Sequence, residues 1–410
     1  MNKKGKDSDS IDPTIRILYV QHVGVLGGSS RSLFELISNF PKRSVSPYLV
    51  APPGELASMM SIVGVPVQLC LGISQFDNCS YSYYRGLRWL ILLREAFLLG
   101  PTYFALRKAK KKWGHFDIIH INDVTLLFPV WLSRRLFPNS RVVVHARAVQ
   151  RKAKTFRKAW LAALLRNCSD ALFAINLNVS KSLPDNLAVH IVHNGLTLPG
   201  ATNVSHQIRG RRFTVAMVGV LSRAKGCLDF IKAAGVCRDR GYDVSFLLVG
   251  GESQAIRRWD KKIIRKLGLR DDVTDDAAKL VAQLGLDEIV EFRPFCKDLN
   301  MVYRNMDVVC FPSYLDAPGR PIFEAGFYGV PSIASISKPQ ADTFLPDKTG
   351  VIVKPCDPTS LADAIIRLHD NPEERSRMGA SAKQFSESHF DAEKNSKMVL
   401  SLYRKLLSLK

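Results

Sequence analysis

Apolar positions along the chain fall into short runs, separated by glycine- and proline-containing loops and by amphipathic stretches. Ile15 to Val20 predicts a strand. Gly24, Gly27, Gly28 and Ser29 follow, and Leu33, Phe34, Leu36 and Ile37 then recur at helical spacing. A strand, a glycine loop and a helix start make a turn whose free N–H groups suit a phosphate. Further strands are predicted at 45–51, 65–71, Phe116 to Asn122, Arg141 to Arg147 and Val189 to Gly195, the last closing on an Asn-Gly turn signal. Two of them carry a histidine near the carboxyl end, His120 and His145, where open α/β sheets build their sites.

Residues 199–212 are polar and read as a linker, and the pattern then restarts. Phe213 to Gly219 is a strand, Leu221 to Gly226 a loop, and a helix begins near Cys227. Val244 to Gly251 and Ile289 to Phe295 are the next strands, with a charged helical region between them up to Leu286. Val308 to Phe311 is an apolar strand stopped by Pro312 and Ser313. A loop with Pro318, Gly319, Arg320 and Pro321 leads into a helix through Ile322, Phe323, Glu324 and Ala325, and a short strand follows Gly329 and Pro331. Asp316 and Glu324 bracket the loop with seven residues between them. A helix N-terminus at such a loop favours a diphosphate. Read from the residues alone, the same stretch also fits an ordinary βαβ unit with a Gly/Pro turn.

This stretch resembles the nucleotide-binding signature of retaining glycosyltransferases of the GT-B architecture, the group that includes glycosyltransferase family 4 and the glycosyl transferases group 1. The resemblance implies an α/β fold of two Rossmann-like, doubly wound domains facing across a cleft. Its boundaries would be a disordered lead-in at 1–14, a first acceptor-side domain at 15–198, a linker at 199–212, a nucleotide-sugar-binding domain at 213–390, and a helix at 391–410 crossing back to the first domain. It also implies transfer of a sugar from a nucleotide-sugar donor with retention of configuration. By resemblance Glu324 binds ribose hydroxyls, Asp316 the hydroxyls of the donor sugar, and Lys225 the diphosphate. His145 lies near the donor sugar, and Gly28, Arg223, Phe295, Gly319 and Arg320 complete the donor site. Two positions depart from the pattern: Asp316 stands where Glu is usual, and Val220 follows Gly219 where Arg is usual. Arg223 in the same loop is then the substitute cation. No cofactor is expected, since the nucleotide-sugar is a substrate. No metal is expected either: the one Asp-x-Asp, Asp7 to Asp9, lies in the polar lead-in.

Charge adds a question about partners. The chain of 410 residues carries a formal net charge of +21, which calls for an anionic partner or surface. Nucleic acid is not expected, because the basic residues are not interleaved with stacking aromatics. The eight cysteines form no Cys-x-x-Cys pair, so a reducing cytoplasm is the default. No signal peptide is read in the polar lead-in. The stretch from Tyr81 to Trp113 has an apolar centre, Leu87 to Leu99, then an interruption at Pro101, and then Arg107, Lys108, Lys110, Lys111 and Lys112. It is too short and too charged to span a bilayer. Two readings remain open: a core-packing helix with a solvated basic end, or an interfacial segment on anionic lipid. A second basic run, Arg147, Arg151, Lys152, Lys154, Arg157 and Lys158, reads as a solvated helix face or a further anionic-partner surface. The expected acceptor is a glycan or lipid-linked molecule in cell-surface polysaccharide synthesis, with the protein peripheral on the cytoplasmic face of a membrane. The alternatives are a soluble transferase with a small acceptor, or a degenerate GT-B domain that only binds.

Overall fold

The computed structural model describes residues 13–77, 79, 89–151, 156–185, 187–198, 211–250, 273–294, 300–314 and 318–409. Among them the chain forms two parallel sheets. The first holds β1 (Ile15–Val20), β2 (Val45–Ala51), β3 (Val67–Leu69), β4 (Ile118–Ile121), β5 (Arg141–Ala146), β6 (Ala171–Ala174) and β7 (Val189–Ile191), in the order β3-β2-β1-β4-β5-β6-β7. The second holds β8 (Phe213–Val218), β9 (Val244–Val249), β10 (Val290–Arg293), β11 (Val308–Phe311), β12 (Ser332–Ala334) and β13 (Gly350–Ile352), in the order β10-β9-β8-β11-β12-β13. Both are doubly wound, and the order reverses between β1 and β4 and again between β8 and β11. In such sheets ligands bind beyond the strand carboxyl ends at the reversal.

The helices are α1 (Gly28–Ser38), α2 (Glu55–Ile62), α3 (Ile91–Trp113), α4 (Leu127–Leu136), α5 (Phe156–Cys168), α6 (Leu177–Ser180), α7 (Cys227–Asp239), α8 (Thr274–Leu284), α9 (Asn300–Arg304), α10 (Arg320–Phe327), α11 (Pro358–Asp370), α12 (Pro372–His389) and α13 (Ala392–Ser408). Parallel strands covered on both faces need apolar residues at successive positions, which explains the unbroken runs in the sequence. Ile17 and Tyr19 of β1 pack with Leu33 of α1 and Val399 of α13, while Leu18 and Val20 pack with Leu106 of α3 and Val130 of α4. In the second sheet Val215 and Met217 meet Phe230 of α7 and Leu361 of α11, and Ala216 and Val218 meet Val302 of α9 and Phe323 of α10.

The last helix, α13, lies on the first sheet, where Ser396 Oγ donates to the Leu36 carbonyl (3.0 Å) and Tyr403 Oη contacts His120 Nδ1 (2.7 Å). The crossing is close at Gly195, where a Cβ would meet Ala392 Cα at 2.5 Å. The strand β6 was not anticipated from sequence, and β3 is shorter than expected. Pro101 does not interrupt the helix; α3 runs through it. A proline here leaves the carbonyl of Phe97 without its helical donor. That turn faces solvent, with Phe97 65% exposed.

Candidate active site

The loop after β8 carries the first cation. Arg223–Lys225 forms a 3-10 turn that ends on Gly226 at φ 74°. A side chain there is strained by the left-handed backbone, and its Cβ would lie 2.0 Å from the Pro312 carbonyl oxygen. The turn is therefore wedged against the loop after β11, and the Tyr314 N–H donates to the Ala224 carbonyl (2.8 Å). Lys225 is half-buried, with no carboxylate partner among the described residues. Burial lowers its pKa below the ordinary lysine value. Its Nζ lies beside Gly219, where a Cβ would come within 3.2 Å of it. Arg223 points elsewhere: it is exposed and paired with Asp276 of α8 (2.6 Å).

The loop after β11 leads into α10. Gly319 precedes the helix against the Phe311 ring, which a Cβ would meet at 2.5 Å. Glu324, one turn into the helix, is 3% exposed. It accepts from Arg320 Nε (2.8 Å) and from Tyr303 Oη of α9 (2.7 Å). Burial pushes its carboxyl up, but the Arg320 and Arg31 charges and the bonds from Tyr303 and Arg320 outweigh this, and its pKa is held below the ordinary value. Arg320 also reaches the other half: its Nη1 donates to Ser32 Oγ of α1 (2.6 Å), while its Nη2 is buried without a partner. A Cβ on Gly28 would lie 3.8 Å from Arg320 Cδ, so the start of α1 stands against the start of α10. Asp316 and Phe295 lie outside the described residues.

The first half supplies a hydrogen-bonded network at its own reversal point. Arg147, directly after β5, donates through Nε and Nη2 to Asn122 Oδ1 (3.0 and 2.7 Å) and through Nη1 to Asn194 Oδ1 (2.8 Å). Asn122 donates to Gln21 Oε1 (2.9 Å), and Gln21 to Ser30 Oγ (3.1 Å). Burial draws Arg147 down to about 9, with Asp123 opposing and Arg320 adding to the shift; it stays protonated at neutral pH. The basic-surface reading is thus corrected for Arg147, which is half-buried in the cleft. His145 is 1% exposed, packed on His120 and Phe173. Neither of its ring nitrogens has a partner, and it borders a cavity of about 10 Å³ with Ser32, Arg147 and Asn194. Burial, Arg147 and His120 hold His145 well below the usual histidine pKa.

Asp342 closes the opposite flank. Its Oδ2 accepts from the Leu177 N–H at the start of α6 (2.8 Å) and lies 3.9 Å from His193 Nε2. A second cavity of about 20 Å³ lies between Asn176, Asn194, Gly319 and Arg320. Ser32 and Arg320 therefore meet from two domains, Arg147 feels the Arg320 charge, and Arg31 acts on Glu324. Sequence reasoning did not single out Arg31, Tyr303 or Asp342, and it read Asn194 as part of a turn rather than as a site residue. An arginine in the first turn after the glycine loop was the available signal for Arg31. Nothing local marked Tyr303. Among the described residues no group of three or more His, Cys, Asp or Glu side chains is placed to hold a metal ion.

Two facing doubly wound domains, each with its reversal point turned to a shared cationic cleft, define the GT-B architecture. The sequence matches Glycosyltransferase Family 4 over residues 26–198 and Glycosyl transferases group 1 over residues 201–385. The chain belongs to these GT-B glycosyltransferases. It is 28% identical over 217 residues to a D-inositol 3-phosphate glycosyltransferase of Paenarthrobacter aurescens, covering 51% of this chain and 49% of that one. The match thus spans about half the length of that relative. It is 22% identical to an MMP alpha-(1->4)-mannosyltransferase of Mycolicibacterium hassiacum, over 75% of this chain and 76% of that one. In fold it is similar to Alr3699/HepE of Anabaena solved with UDP-glucose, with a TM-score of 0.71 at 18% identity over 95% of this chain and 100% of that one.

Proposed function

We propose that the protein is a retaining glycosyltransferase that moves a hexosyl or N-acetylhexosaminyl group from a nucleotide-sugar to a lipid-linked or polysaccharide acceptor in cell-surface polysaccharide assembly. The observation that carries this reading is the cationic cleft, in which Arg320 and Arg31 act on the Glu324 carboxylate while Lys225, at the loop after β8, has no carboxylate partner among the described residues. Lys225 has no partner to lose when a diphosphate arrives. It would offset the charge that grows on the leaving group, together with N–H groups at the starts of α1 and α10. These protein cations supply the electrostatic work, so we propose transfer without a metal. Glu324 would accept from the ribose hydroxyls after Arg320 turns from it toward the diphosphate. Asp316 would hold the donor sugar. His145, neutral and beside the cavity at Arg147, would donate to a sugar hydroxyl. An acceptor held in lipid requires the enzyme to work beside a membrane, and we place it as a peripheral protein on the cytoplasmic face.

A small anionic acceptor is the second reading, favoured by the D-inositol 3-phosphate named for the relatives and by Arg147 on the acceptor side. A non-transferring role is favoured by one observation: both Glu324 oxygens are already bound. A thermal-shift screen with UDP-, GDP- and ADP-sugars, followed by assay of donor consumption, tests these readings. A ligand of the folded state raises the melting temperature. No shift with any donor sinks the transfer reading, and a shift without consumption selects the binding role.

A further inference from the structure

The two faces of α3 do different work. Glu95, Thr102, Ala105, Leu106 and Ala109 are buried against the first domain. At the helical repeat the opposite side carries Leu90, Leu93, Phe97 and Phe104, which are 56%, 71%, 65% and 65% exposed. The core face of this helix is therefore already filled, and the second apolar face has no partner among the described residues. A contiguous exposed stripe of this kind marks an interaction. The stripe does not end at Phe104. Lys108 and Lys111 continue it on the same side, both exposed. Trp113 and Lys110 do not belong to it: Trp113 packs on Tyr48 with ring centroids 5.1 Å apart, and Lys110 donates to the Leu136 carbonyl (2.6 Å).

The apolar end of the stripe stands near the cleft. Glu95 accepts from the Gln75 N–H (2.8 Å) and Thr102 from the Ser74 N–H (2.9 Å). Phe76 N–H in turn donates to the Thr125 carbonyl (2.7 Å), in the loop after β4 that holds Asn122 and Asp123. The lysine end lies at the far side, where the chain returns to enter β4. An apolar stripe with a cationic continuation matches a bilayer interface, in which acyl chains meet the one and anionic headgroups the other. Among the described residues no helix is long and apolar enough to cross a membrane.

We propose that the outer face of α3 docks the protein on an anionic bilayer, with Leu90, Leu93, Phe97 and Phe104 in the acyl boundary and Lys108 and Lys111 on the headgroups. The acceptor-side rim of the cleft is thereby brought to the lipid surface. This deepens the lipid-linked-acceptor reading above and rests on it. The test is flotation with phosphatidylcholine vesicles, with and without phosphatidylglycerol. The wild-type protein floats only with the anionic vesicles, and less at high salt. Leu93→Glu with Phe97→Glu stays at the bottom. Lys108→Gln with Lys111→Gln partitions about 30-fold less, each basic residue contributing about fivefold. Both pairs are changes of exposed side chains that touch no residue of the proposed nucleotide seat, so their melting temperatures and their response to UDP, GDP or ADP equal those of the wild type. That nucleotide response tests the cleft alone, so its absence from the wild type sinks the transfer reading and leaves the flotation result to judge α3. Wild-type protein that stays at the bottom with anionic vesicles overturns the proposal. So does a Leu93→Glu, Phe97→Glu variant that floats like the wild type. A lipid-free dimer that this variant breaks assigns the face to a second copy instead.

Discussion

The two halves share a strand order and differ in what stands where it reverses. In the first half Gln21, Asn122, Arg147 and Asn194 form a chain in which the Arg147 fork is matched by two asparagine carbonyls. In the second half Lys225 has no carboxylate partner and Arg320 leaves a buried Nη2 unmatched, among the described residues. Buried polar groups are nearly always satisfied. A matched network holds a shape, whereas a cation without a carboxylate partner, such as Lys225 among the described residues, is a candidate seat for an outside anion. On the proposed reading the same scaffold supplies a fixed wall on one side and an anion seat on the other.

Replacing Lys225 by Ala breaks this contrast most sharply. Loss of one preorganised charge contact costs about 2.7–4 kcal/mol of barrier, a fall of about 10²–10³ in kcat. The melting temperature should hold or rise, because the side chain removed is a half-buried cation without a carboxylate partner among the described residues. The pH dependence has a defined sign. The folded-state pKa of Lys225 is depressed, so between it and 10.5 the unfolded chain binds more protons and Lys225 adds a rising slope of stability with pH. A bound diphosphate reverses the shift, so donor affinity falls as pH climbs through that window. A Lys225→Ala enzyme at wild-type kcat, or one that keeps the pH slope of donor affinity, removes Lys225 from the seat.

Glu324→Gln probes the one carboxylate among these cations. Removing the charge leaves Arg320 buried and uncompensated, and breaking such a pair costs about 3–5 kcal/mol of stability. The variant should therefore melt lower as well as transfer less, unlike Lys225→Ala. The folded pKa of Glu324 is depressed, so its stabilisation is present above the unfolded value of 4.5 and is lost as pH falls through the folded one. Urea midpoints across acid pH should show that limb in the wild type and not in the variant.

The same contrast explains what the sequence made legible. Lys225 and Glu324 each sit in one local stretch where strand, glycine or proline, and helix follow in order, so their placement at a strand end can be read from spacing. Both parallel sheets were readable for the same reason: strands buried on two faces are unbroken apolar runs. Arg147 meets Asn122 and Asn194 only because three strand ends converge, and its neighbours in sequence made it look like part of a surface run. Tyr303 reaches Glu324 from a five-residue helix that leaves little periodicity to read. In α3 the composition was visible, but which face was core was not, because one helix buries one side and exposes apolar residues on the other.

Arg147→Lys sharpens the comparison from the matched side. Lysine keeps the charge and loses the fork that serves Asn122 and Asn194 together. Hydrogen bonds to a charged group contribute about 1.5–3 kcal/mol, and stability should fall by about that much. The temperature shift induced by the donor should stay near its wild-type size, since the diphosphate seat lies on the other domain. A variant with intact stability and a lost donor shift would move Arg147 into the anion seat and erase the division between the halves.

The smallest expected effect concerns how α13 is held to the first sheet. Tyr403 Oη is 2.7 Å from His120 Nδ1, and both side chains are fully buried. Burial and the Arg147 charge hold His120 well below the usual histidine pKa, and His145 beside it is lowered too. The neutral His120 ring accepts the tyrosine hydroxyl. Tyr403→Phe keeps the ring packing on Phe173 and Phe40 and removes this bond together with the contact of the Tyr403 hydroxyl with Tyr19, a loss of about 0.5–1.5 kcal/mol for the bond to His120. The histidines set the pH response. His22 and His193 are lowered by burial as well, so below the ordinary value of about 6.5 the unfolded chain takes up protons at these four rings that the folded chain does not, and stability falls as pH drops, by about 1.4 kcal/mol per unit for each ring. Tyr403→Phe should lower the whole curve of stability against pH without changing that slope, whereas His120→Asn should reduce it by one ring's share, about 1.4 kcal/mol per unit. A slope unchanged in His120→Asn would mean that the acid sensitivity belongs to another group, and that the buried His120–Tyr403 contact fixes α13 without sensing protons.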